Sequence, residues 1–313
     1  MKILVTGGAG FIGSACVKSL IAQNYEVIVV DNLSKGKKAL VDNNANFYEG
    51  DLVDVIFLEK VFKDNKIDAV IHFAGYKAVG ESMSNPEKYN DNIFGTVNVI
   101  DLMVKYGVKK IIFSSSAAVY GEPEYSPVDE NHRLKPINYY GFTKQKCEEI
   151  IDWYSKLKGI IGISLRYFNV AGDAGLNYVD PCAENVFPLI MEVFNGQRDK
   201  LIVFGNDYDT RDGTCIRDYI DINDLVDAHI LALNLNESGA INIGSENGVT
   251  VKELIDGFEN ETGKKLNWEY GARRNGDPAQ LTASAKKAKD LMGWKASRDV
   301  KNMIKGTVRA YTF

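Results

Sequence analysis

Two residues near the middle of the chain, Tyr140 and Lys144, have the types and the spacing needed for proton transfer. Four residues apart, they would lie on one face of a helix, one turn from each other. A free tyrosine titrates near pH ~10, but a neighbouring ammonium group stabilises the phenolate. The pair could therefore take a proton from a hydroxyl group and return it. The ordinary alternative is a half-buried tyrosine beside a solvated lysine, and the preceding sequence decides against it.

The start of the chain predicts a dinucleotide-binding βαβ unit. An apolar strand, residues 2–6, leads into a glycine-rich turn, residues 7–13, then a helical pattern, and then a second strand that ends at Asp31. Glycines allow the backbone to turn tightly and let a pyrophosphate approach the helix N-terminus, which favours anions. Asp31 is placed to accept hydrogen bonds from the adenosine ribose and would repel a 2′-phosphate. We therefore predict NAD rather than NADP.

Strands and helices alternate through the rest of the first half of the chain. Further strands are predicted at residues 46–50, 68–73, 109–114 and 160–167, and helices at residues 86–106 and 140–157. This alternation predicts an α/β fold with a doubly wound parallel (Rossmann) sheet, in which ligands collect at the carboxyl ends of the strands. We predict an NAD-binding domain at residues 1–167. A smaller α/β substrate-binding domain is predicted at 168–313, with residues from about 218 to 237 packing back on the first domain.

Several motifs in combination resemble the extended short-chain dehydrogenase/reductases. They lie at residues 6–13, 72–75, 114–121, 140–144, 166–169 and 217–219. Within that family, residues 77–82 and 204–208 resemble the UDP-glucose (UDP-galactose) 4-epimerases, and the similarity extends from residue 1 to about residue 289. Ala117 and Ala118 stand where the related 4,6-dehydratases carry an Asp-Glu pair, so dehydratase activity is not expected.

The resemblance implies an NAD-dependent isomerase that interconverts UDP-glucose and UDP-galactose. The hexose would be oxidised reversibly at C4 to a 4-keto sugar, and hydride would return to the opposite face. Ser116 would bind O4, Tyr140 would move the proton and Lys144 would hold the phenolate charge. The alternative is a 4-epimerase of another UDP-sugar: a UDP-N-acetylhexosamine, UDP-glucuronate or a UDP-pentose. An oxidoreductase with net hydride transfer and a non-catalytic dinucleotide sensor also stay open.

The remaining site residues fall into two groups. The predicted cofactor contacts are Gly7, Gly10, Phe11, Ile12, Gly13, Asp31, Asn32, Asp51, Leu52, Phe73, Ala74, Lys77, Asn92, Ser114, Tyr140, Lys144 and Tyr167. The predicted substrate contacts are Lys77, Ser116, Tyr140, Asn169, Asn185, Phe204, Arg217, Arg274, Asp277 and Leu281. By resemblance, Phe204 packs on uracil, the two arginines bind the diphosphate, and Asp277 binds the uridine ribose.

Leu281 is expected to face the sugar ring, and its bulk should decide which sugars fit. In the resembling enzymes a tyrosine at this position blocks a 2-N-acetyl group and a small residue admits it. Leucine is intermediate. The resemblance therefore predicts that UDP-glucose and UDP-galactose are preferred, with slower turnover of the N-acetylated pair.

Composition excludes several other classes of protein. The net charge is −5 and no basic run occurs, so nucleic acid and anionic membranes are poor partners. No apolar segment reaches membrane-spanning length. The cysteines, Cys16, Cys147, Cys182 and Cys215, are widely spaced, which fits reduced thiols in the cytoplasm. The three histidines are also far apart, so no metal site is expected. By resemblance, the helices at 86–106 and 140–157 would pair two subunits into a homodimer.

Overall fold

The computed structural model describes residues 1–180, 185–274 and 278–312. The strands are β1 Lys2–Thr6, β2 Glu26–Asp31, β3 Asn46–Glu49, β4 Ala69–His72, β5 Lys110–Ser114, β6 Ile161–Tyr167, β7 Asn169–Ala171, β8 Leu201–Phe204, β9 Ile216–Asp221, β10 Gly239–Ile243, β11 Gly248–Thr250, β12 Trp268–Gly271 and β13 Gln280–Leu281. The helices are α1 Phe11–Ala22, α2 Val55–Asp64, α3 Val79–Ser84, α4 Pro86–Tyr106, α5 Tyr139–Lys158, α6 Val186–Phe194, α7 Ile222–Ala232, α8 Val251–Thr262, α9 Lys286–Met292 and α10 Val300–Thr312.

The chain forms two compact units. The first contains Met1–Gly121, Leu134–Arg166 and Val226–Ile241, and the second contains Glu122–Arg133, Tyr167–Leu225 and Asn242–Phe313. The segment Glu122–Arg133 was predicted for the first domain and belongs instead to the second unit. The reason is a long-range pairing, since Val128 forms a bridge with Ala283 and its carbonyl accepts a hydrogen bond from the side chain of Asn242. Local sequence patterns contain no signal for such a pairing.

The first unit is built on a seven-stranded sheet in the order β10-β6-β5-β4-β1-β2-β3. The neighbouring pairs from β6 to β3 are parallel; Val5, for example, lies between Val29 and Ile71. The strand order reverses between β1 and β4. Strands β2 and β3 are added on one side of β1, and β4, β5 and β6 are added on the other side. Such a reversal places a ligand-binding crevice at the carboxyl ends of these two strands. The predicted doubly wound sheet is confirmed.

Two long helices cover one part of this sheet, and local sequence sets their ends. Helix α4 begins with Pro86 in its first turn and ends at Gly107, whose φ of 76° is left-handed. Helix α5 begins after Asn138, whose side chain accepts a hydrogen bond from the N–H of Gly141 at 2.8 Å, and it ends at left-handed Gly159. The two helices pack together, and α5 presents the tyrosine–lysine pair to the sheet.

The second unit is organised around β9. This strand pairs in parallel with β7 and β13 and antiparallel with β11, while β8 and β12 form a separate parallel pair. Helices α6, α8 and α10 contribute to its core, which includes Phe187, Phe258 and Ile304. Among the residues that the structure describes, no helix has both the length and the apolar composition needed to cross a bilayer.

Candidate active site

The glycine-rich turn of the first unit has the geometry that a pyrophosphate needs. Gly7 has a left-handed φ of 71°, and a Cβ placed on it would come within 2.7 Å of the backbone N of Ala74. A Cβ on Gly13 would come within 2.1 Å of the Gly7 carbonyl oxygen. Only glycine fits at these positions, so helix α1 starts close against the end of β1. The N-terminal turn of α1, capped by Gly10 without a side-chain bond, presents backbone N–H groups at the sheet edge.

Asp31 is held rigidly at the end of β2. One carboxylate oxygen accepts a hydrogen bond from the N–H of Ala9 at 3.0 Å, and the other accepts one from the N–H of Leu33 at 2.8 Å. Burial raises the pKa of the Asp31 carboxyl, and these two backbone bonds oppose that effect. Each oxygen keeps a further lone pair that could accept a ribose hydroxyl. The turn and this carboxylate therefore fit a dinucleotide.

The other predicted cofactor residues at this sheet edge are arranged in order along it. Asn32 donates to the carboxylate of Asp51 at 2.7 Å, and Leu52 is buried in the core. Phe73 and Ala74 follow β4, where both of their N–H groups donate to the carbonyl oxygen of Thr6. Asp51 thus follows β3, Asp31 ends β2 and Ala74 follows β4, all at carboxyl ends of parallel strands. Lys77 is exposed, and Tyr167 ends β6.

Tyr140 and Lys144 are both buried, with 9% and 5% of their surface exposed. The backbone N–H of Tyr140 donates to Ser82 Oγ at 3.1 Å, which ties the start of α5 to α3. Lys144 Nζ donates to the carbonyl oxygen of Ser114 at 2.8 Å and lies 5.9 Å from the centre of the Tyr140 ring. Burial lowers the pKa of Lys144 from 10.5 to about 8. The lysine is therefore still mostly a cation at pH 7, one turn from the phenol.

Ser116 stands two residues beyond the carbonyl that Lys144 binds. Its Oγ accepts a hydrogen bond from the N–H of Ala118 at 3.1 Å and so caps a short 3₁₀ turn, Ala117–Val119. A Cβ on Gly141 would come within 2.5 Å of the Ala118 carbonyl oxygen. The turn that carries Ser116 is therefore packed directly against the first turn of α5. The structure brings Ser116, Tyr140 and Lys144 together by these contacts.

Asn92, predicted as a cofactor contact, has most of its hydrogen-bonding groups engaged with protein. Its Oδ1 accepts from the N–H of Tyr76 at 2.8 Å, and its Nδ2 donates to the Tyr76 carbonyl at 3.0 Å and to Thr143 Oγ1 at 3.2 Å. It therefore joins the segment after β4 to α4 and α5. His72, also buried, lies between Thr6 and Thr96, and burial lowers its pKa to about 3.

In the second unit, Phe204 and Arg274 contact each other. The Arg274 guanidinium carbon lies 4.0 Å from the centre of the half-buried Phe204 ring. Arg273, the neighbouring residue, lies 4.2 Å from the Tyr208 ring and donates to the Asp207 carboxylate at 2.7 Å. The aromatic face predicted for uracil and the cation predicted for the diphosphate are thus adjacent. The predicted ribose contact, Asp277, lies outside the described residues.

The other substrate candidates of this unit surround β9. Arg217 Nη1 donates to the carbonyl oxygens of Ile216 and Pro278, and Leu281 pairs with Arg217 across β9 and β13. Asn169 donates to the carbonyl of Asp218, a neighbouring residue of β9, at 3.1 Å. Asn185 caps α6 and donates to the carbonyl of Val170 at 3.1 Å. In the described part of the chain, no group of three or more His, Cys, Asp or Glu residues could hold a metal ion.

The model of the NAD dependent epimerase/dehydratase family matches residues 3–244. The chain belongs to this family. It is 44% identical to UDP-glucose 4-epimerase of Lacticaseibacillus casei over 307 residues, 96% of this chain and 93% of that protein. The predicted family, the NAD cofactor and the enzymatic character are therefore confirmed.

Solved structures of the family superpose on nearly the whole chain. UDP-glucose 4-epimerase from Bifidobacterium longum, in complex with NAD+ and UDP, has a TM-score of 0.92 at 37% identity and covers 100% of this chain and 98% of its own. The UDP-Glc/GlcNAc 4-epimerase of Campylobacter jejuni has a TM-score of 0.90 at 39% identity, with 99% and 98% covered.

Sequence reasoning missed one group of side chains beside the tyrosine–lysine pair. Glu148, four residues after Lys144 on α5, forms a buried ion pair with Arg166 of β6, with an N–O distance of 2.5 Å. The hydroxyl of Ser115 also donates to Glu148. The spacing of Tyr140, Lys144 and Glu148 at successive fourth positions was visible in the sequence. The partner residue on β6 was not.

Proposed function

We propose that this protein interconverts UDP-glucose and UDP-galactose, with NAD retained throughout the cycle. The observation that carries the proposal is the buried Lys144, one turn after Tyr140, with its ammonium group on the backbone of the strand that leads to Ser116. Family membership and 44% identity to a UDP-glucose 4-epimerase support the same activity.

The chain's own residues move one proton in this reaction. NAD, when bound, supplies reversible hydride acceptance at the sugar C4. The Tyr140 phenolate takes the proton of the hexose O4 and later returns it to O4 of the product, so that no second acid is needed. Ser116 hydrogen-bonds O4 and orients it. Lys144 supplies the positive charge that favours the phenolate, and it acts strongly because little water surrounds it.

Asp31 would select NAD over NADP. A carboxylate that is already held by two backbone N–H groups cannot turn away from a 2′-phosphate, and it would repel that group. Asp31→Ala should therefore relax the preference. Purified protein that carries NADP, or that works better with NADP than with NAD, would contradict this assignment.

The remaining residues take the roles that the resemblance implies. The N-terminus of α1 with Gly7, Gly10 and Gly13 would hold the pyrophosphate. In the second unit, Phe204 would pack on uracil, and Arg217 and Arg274 would bind the diphosphate, for which planar guanidinium groups are suited.

Incubation with a panel of UDP-sugars tests the proposal directly. Each sugar is added to purified protein without free NAD, and the C4 epimers are separated by chromatography. Conversion of UDP-glucose and UDP-galactose is expected, with slower conversion of the N-acetylated pair. The second activity is favoured by Leu281, which is smaller than tyrosine, and by the structural similarity to the Campylobacter jejuni enzyme. No conversion of either pair would overturn the proposal.

We also propose that two chains associate through α4 and α5 and that the enzyme works in the cytoplasm. These helices carry large apolar side chains that are mostly exposed, Phe94 at 55% and Trp153 at 59%. Among the residues that the structure describes, Cys16 and Cys147 are buried and form no disulfide, which suits a reducing compartment. Sedimentation at micromolar concentration should give a dimer, and a monomer would count against the association.

A further inference from the structure

A buried polar network lies beside the tyrosine–lysine pair, and none of its members is among the predicted cofactor or substrate contacts. Arg166 Nε donates to both oxygens of Glu148, at 2.9 and 3.1 Å, and Nη2 donates to Oε2 at 2.5 Å. Arg166 Nη1 donates to the Tyr120 hydroxyl at 3.0 Å. The hydroxyl of Ser115 donates to Glu148 Oε1. We call these four residues the Glu148 network.

The Glu148 network is expected to contribute little to the stability of the fold. The side chains of Arg166 and Glu148 are only 6% and 8% exposed, so both charges have been removed from water. The desolvation of such a pair consumes most or all of its Coulomb attraction, and well-packed apolar residues often serve equally well in its place. A role in holding a particular geometry explains its presence better than a contribution to the stability of the fold.

The network connects the elements that carry the three reacting residues. Ser115 lies between Ser114, whose carbonyl binds Lys144, and Ser116. Glu148 lies one helical turn beyond Lys144 on the face of α5 that also carries Tyr140. Arg166 extends this connection to β6, which pairs with β5 in parallel.

The hydrogen bonds of Ser115 fix two distances in the site, that between Ser116 and Tyr140 and that between Ser114 and Lys144. Ser115 is fully buried, and its N–H donates to the Leu165 carbonyl while its hydroxyl donates to Glu148. The backbone of the serine triplet therefore cannot shift relative to α5 without breaking these bonds. The separation of Ser116 from Tyr140 and that of Ser114 from Lys144 are set by the same contacts.

We propose that Ser115, Glu148 and Arg166 are positioning residues, which hold Ser116 and the Ser114 carbonyl at working distance from Tyr140 and Lys144. This inference rests on the proposed function, because it concerns the geometry of proton transfer to O4. Displacement of reacting groups by about 1 Å can cost on the order of 10²-fold in rate. Loss of the network should therefore lower kcat and leave the KM for UDP-glucose unchanged, since none of its members is a predicted nucleotide contact.

The experiment compares Glu148→Met, Arg166→Met and the double variant with wild-type enzyme. Each single variant leaves one charge buried without its partner and should lower the melting temperature. The double variant replaces the pair by apolar side chains and should recover the melting temperature and the NAD content. We expect the kcat of the double variant to remain on the order of 10²-fold below that of the wild type, with KM unchanged. A matched control removes an exposed ion pair one turn apart on α9, Lys286 and Asp290, by substitution with alanine, and should leave kcat unchanged.

Recovery of kcat together with the melting temperature in the double variant would overturn the positioning role and leave the proposed function intact. Wild-type protein that epimerises no UDP-sugar would overturn the proposed function and the positioning role with it. If the double variant does not fold, Ser115→Ala decides, because it removes one hydrogen bond and leaves the ion pair in place. A lower kcat at constant KM supports the proposal, and an unchanged kcat refutes it.

Discussion

The two regions proposed to act on the substrate differ in how their side chains are held. In the first unit, Tyr140 and Lys144 are buried on a capped helix. The backbone N–H of Tyr140 donates to Ser82 of α3, and the Lys144 side chain donates to the Ser114 carbonyl. In the second unit, Arg274 is exposed and Phe204 and Leu281 are half-buried. There, Arg274 contacts Phe204, which is the very ring proposed to receive uracil.

This difference indicates a division between fixed and exchangeable contacts. Groups that move a proton must be placed before the substrate arrives, since reorganisation during the reaction would raise the barrier. Groups that bind a nucleotide can satisfy each other first and change partners on binding. Substitutions in the first region should therefore change kcat or stability, whereas those in the second should change KM and sugar selection.

Tyr140→Phe should have the largest effect. It removes the proposed proton acceptor and leaves the ring, so kcat should fall by roughly 10²–10⁴-fold with substrate affinity nearly unchanged. Tyr139→Phe is the matched control, because the Tyr139 hydroxyl donates to Asn90 at 2.6 Å and takes no part in the reaction. Steady-state kinetics of both variants decide the matter. Retained turnover in Tyr140→Phe with loss in Tyr139→Phe would reverse the assignment.

Lys144→Met should stabilise the protein while it impairs catalysis. Lowering the lysine pKa from 10.5 to about 8 by burial costs the folded state about 3 kcal/mol at ~1.36 kcal/mol per pH unit. Loss of the charge-assisted hydrogen bond to the Ser114 carbonyl costs about 1.5–3 kcal/mol, which leaves a net gain in stability of up to about 1.5 kcal/mol at pH 7.

The free energy of unfolding depends on pH because Lys144 loses its proton at a lower pH in the folded protein than in the unfolded chain. Below about pH 8, Lys144 is protonated in both the folded and the unfolded state, so the full cost of burying its charge is present. Between about pH 8 and 10.5 the unfolded chain binds more protons, so the wild type gains stability relative to Lys144→Met. Denaturant unfolding at pH 7 and pH 10 measures this. Lys146→Met, on the exposed face of the same helix, should show no such change, and equal behaviour of the two variants would refute the expectation.

Leu281→Tyr should act on sugar selection alone. Added bulk beside the sugar should lower kcat/KM for the UDP-N-acetylhexosamines by about 10–200-fold and spare UDP-glucose and UDP-galactose. The measurement is kcat/KM for both sugar pairs in both proteins. Equal losses for the two pairs, or no N-acetyl activity in the wild type, would eliminate Leu281 as the selecting residue.

Arg274→Ala should weaken substrate binding and spare the chemical step. Loss of the proposed charge-assisted contact to the diphosphate is worth about 1.5–3 kcal/mol, which corresponds to a rise in KM of roughly 10–150-fold with kcat largely kept. Arg273→Ala is a close control, since Arg273 also stacks on an aromatic ring but is paired with Asp207. If both variants raise KM equally, general positive charge rather than Arg274 itself would be responsible.

Much of the first unit was predictable because its signals are local. The bounds of α4 agree with prediction, since a proline at the start and a left-handed glycine at the end lie within the same stretch of sequence. The glycine-rich turn, Asp31 and the tyrosine–lysine pair were likewise visible from residue type and short spacing. Their position at the carboxyl ends of strands followed from the alternation of strands and helices.

Only the tertiary structure decided which distant residues meet. Helices Val55–Asp64 and Val300–Thr312 lie outside the predicted elements, and the pairing of Val128 with Ala283 was not foreseen. Glu148 and Arg166 are 18 residues apart, and they meet because strand pairing brings β6 beside β5, behind the serine triplet. Helical periodicity and caps act over a few residues and can be read along the chain. The partner of a buried charge depends on sheet register and packing, which form only when the whole chain folds.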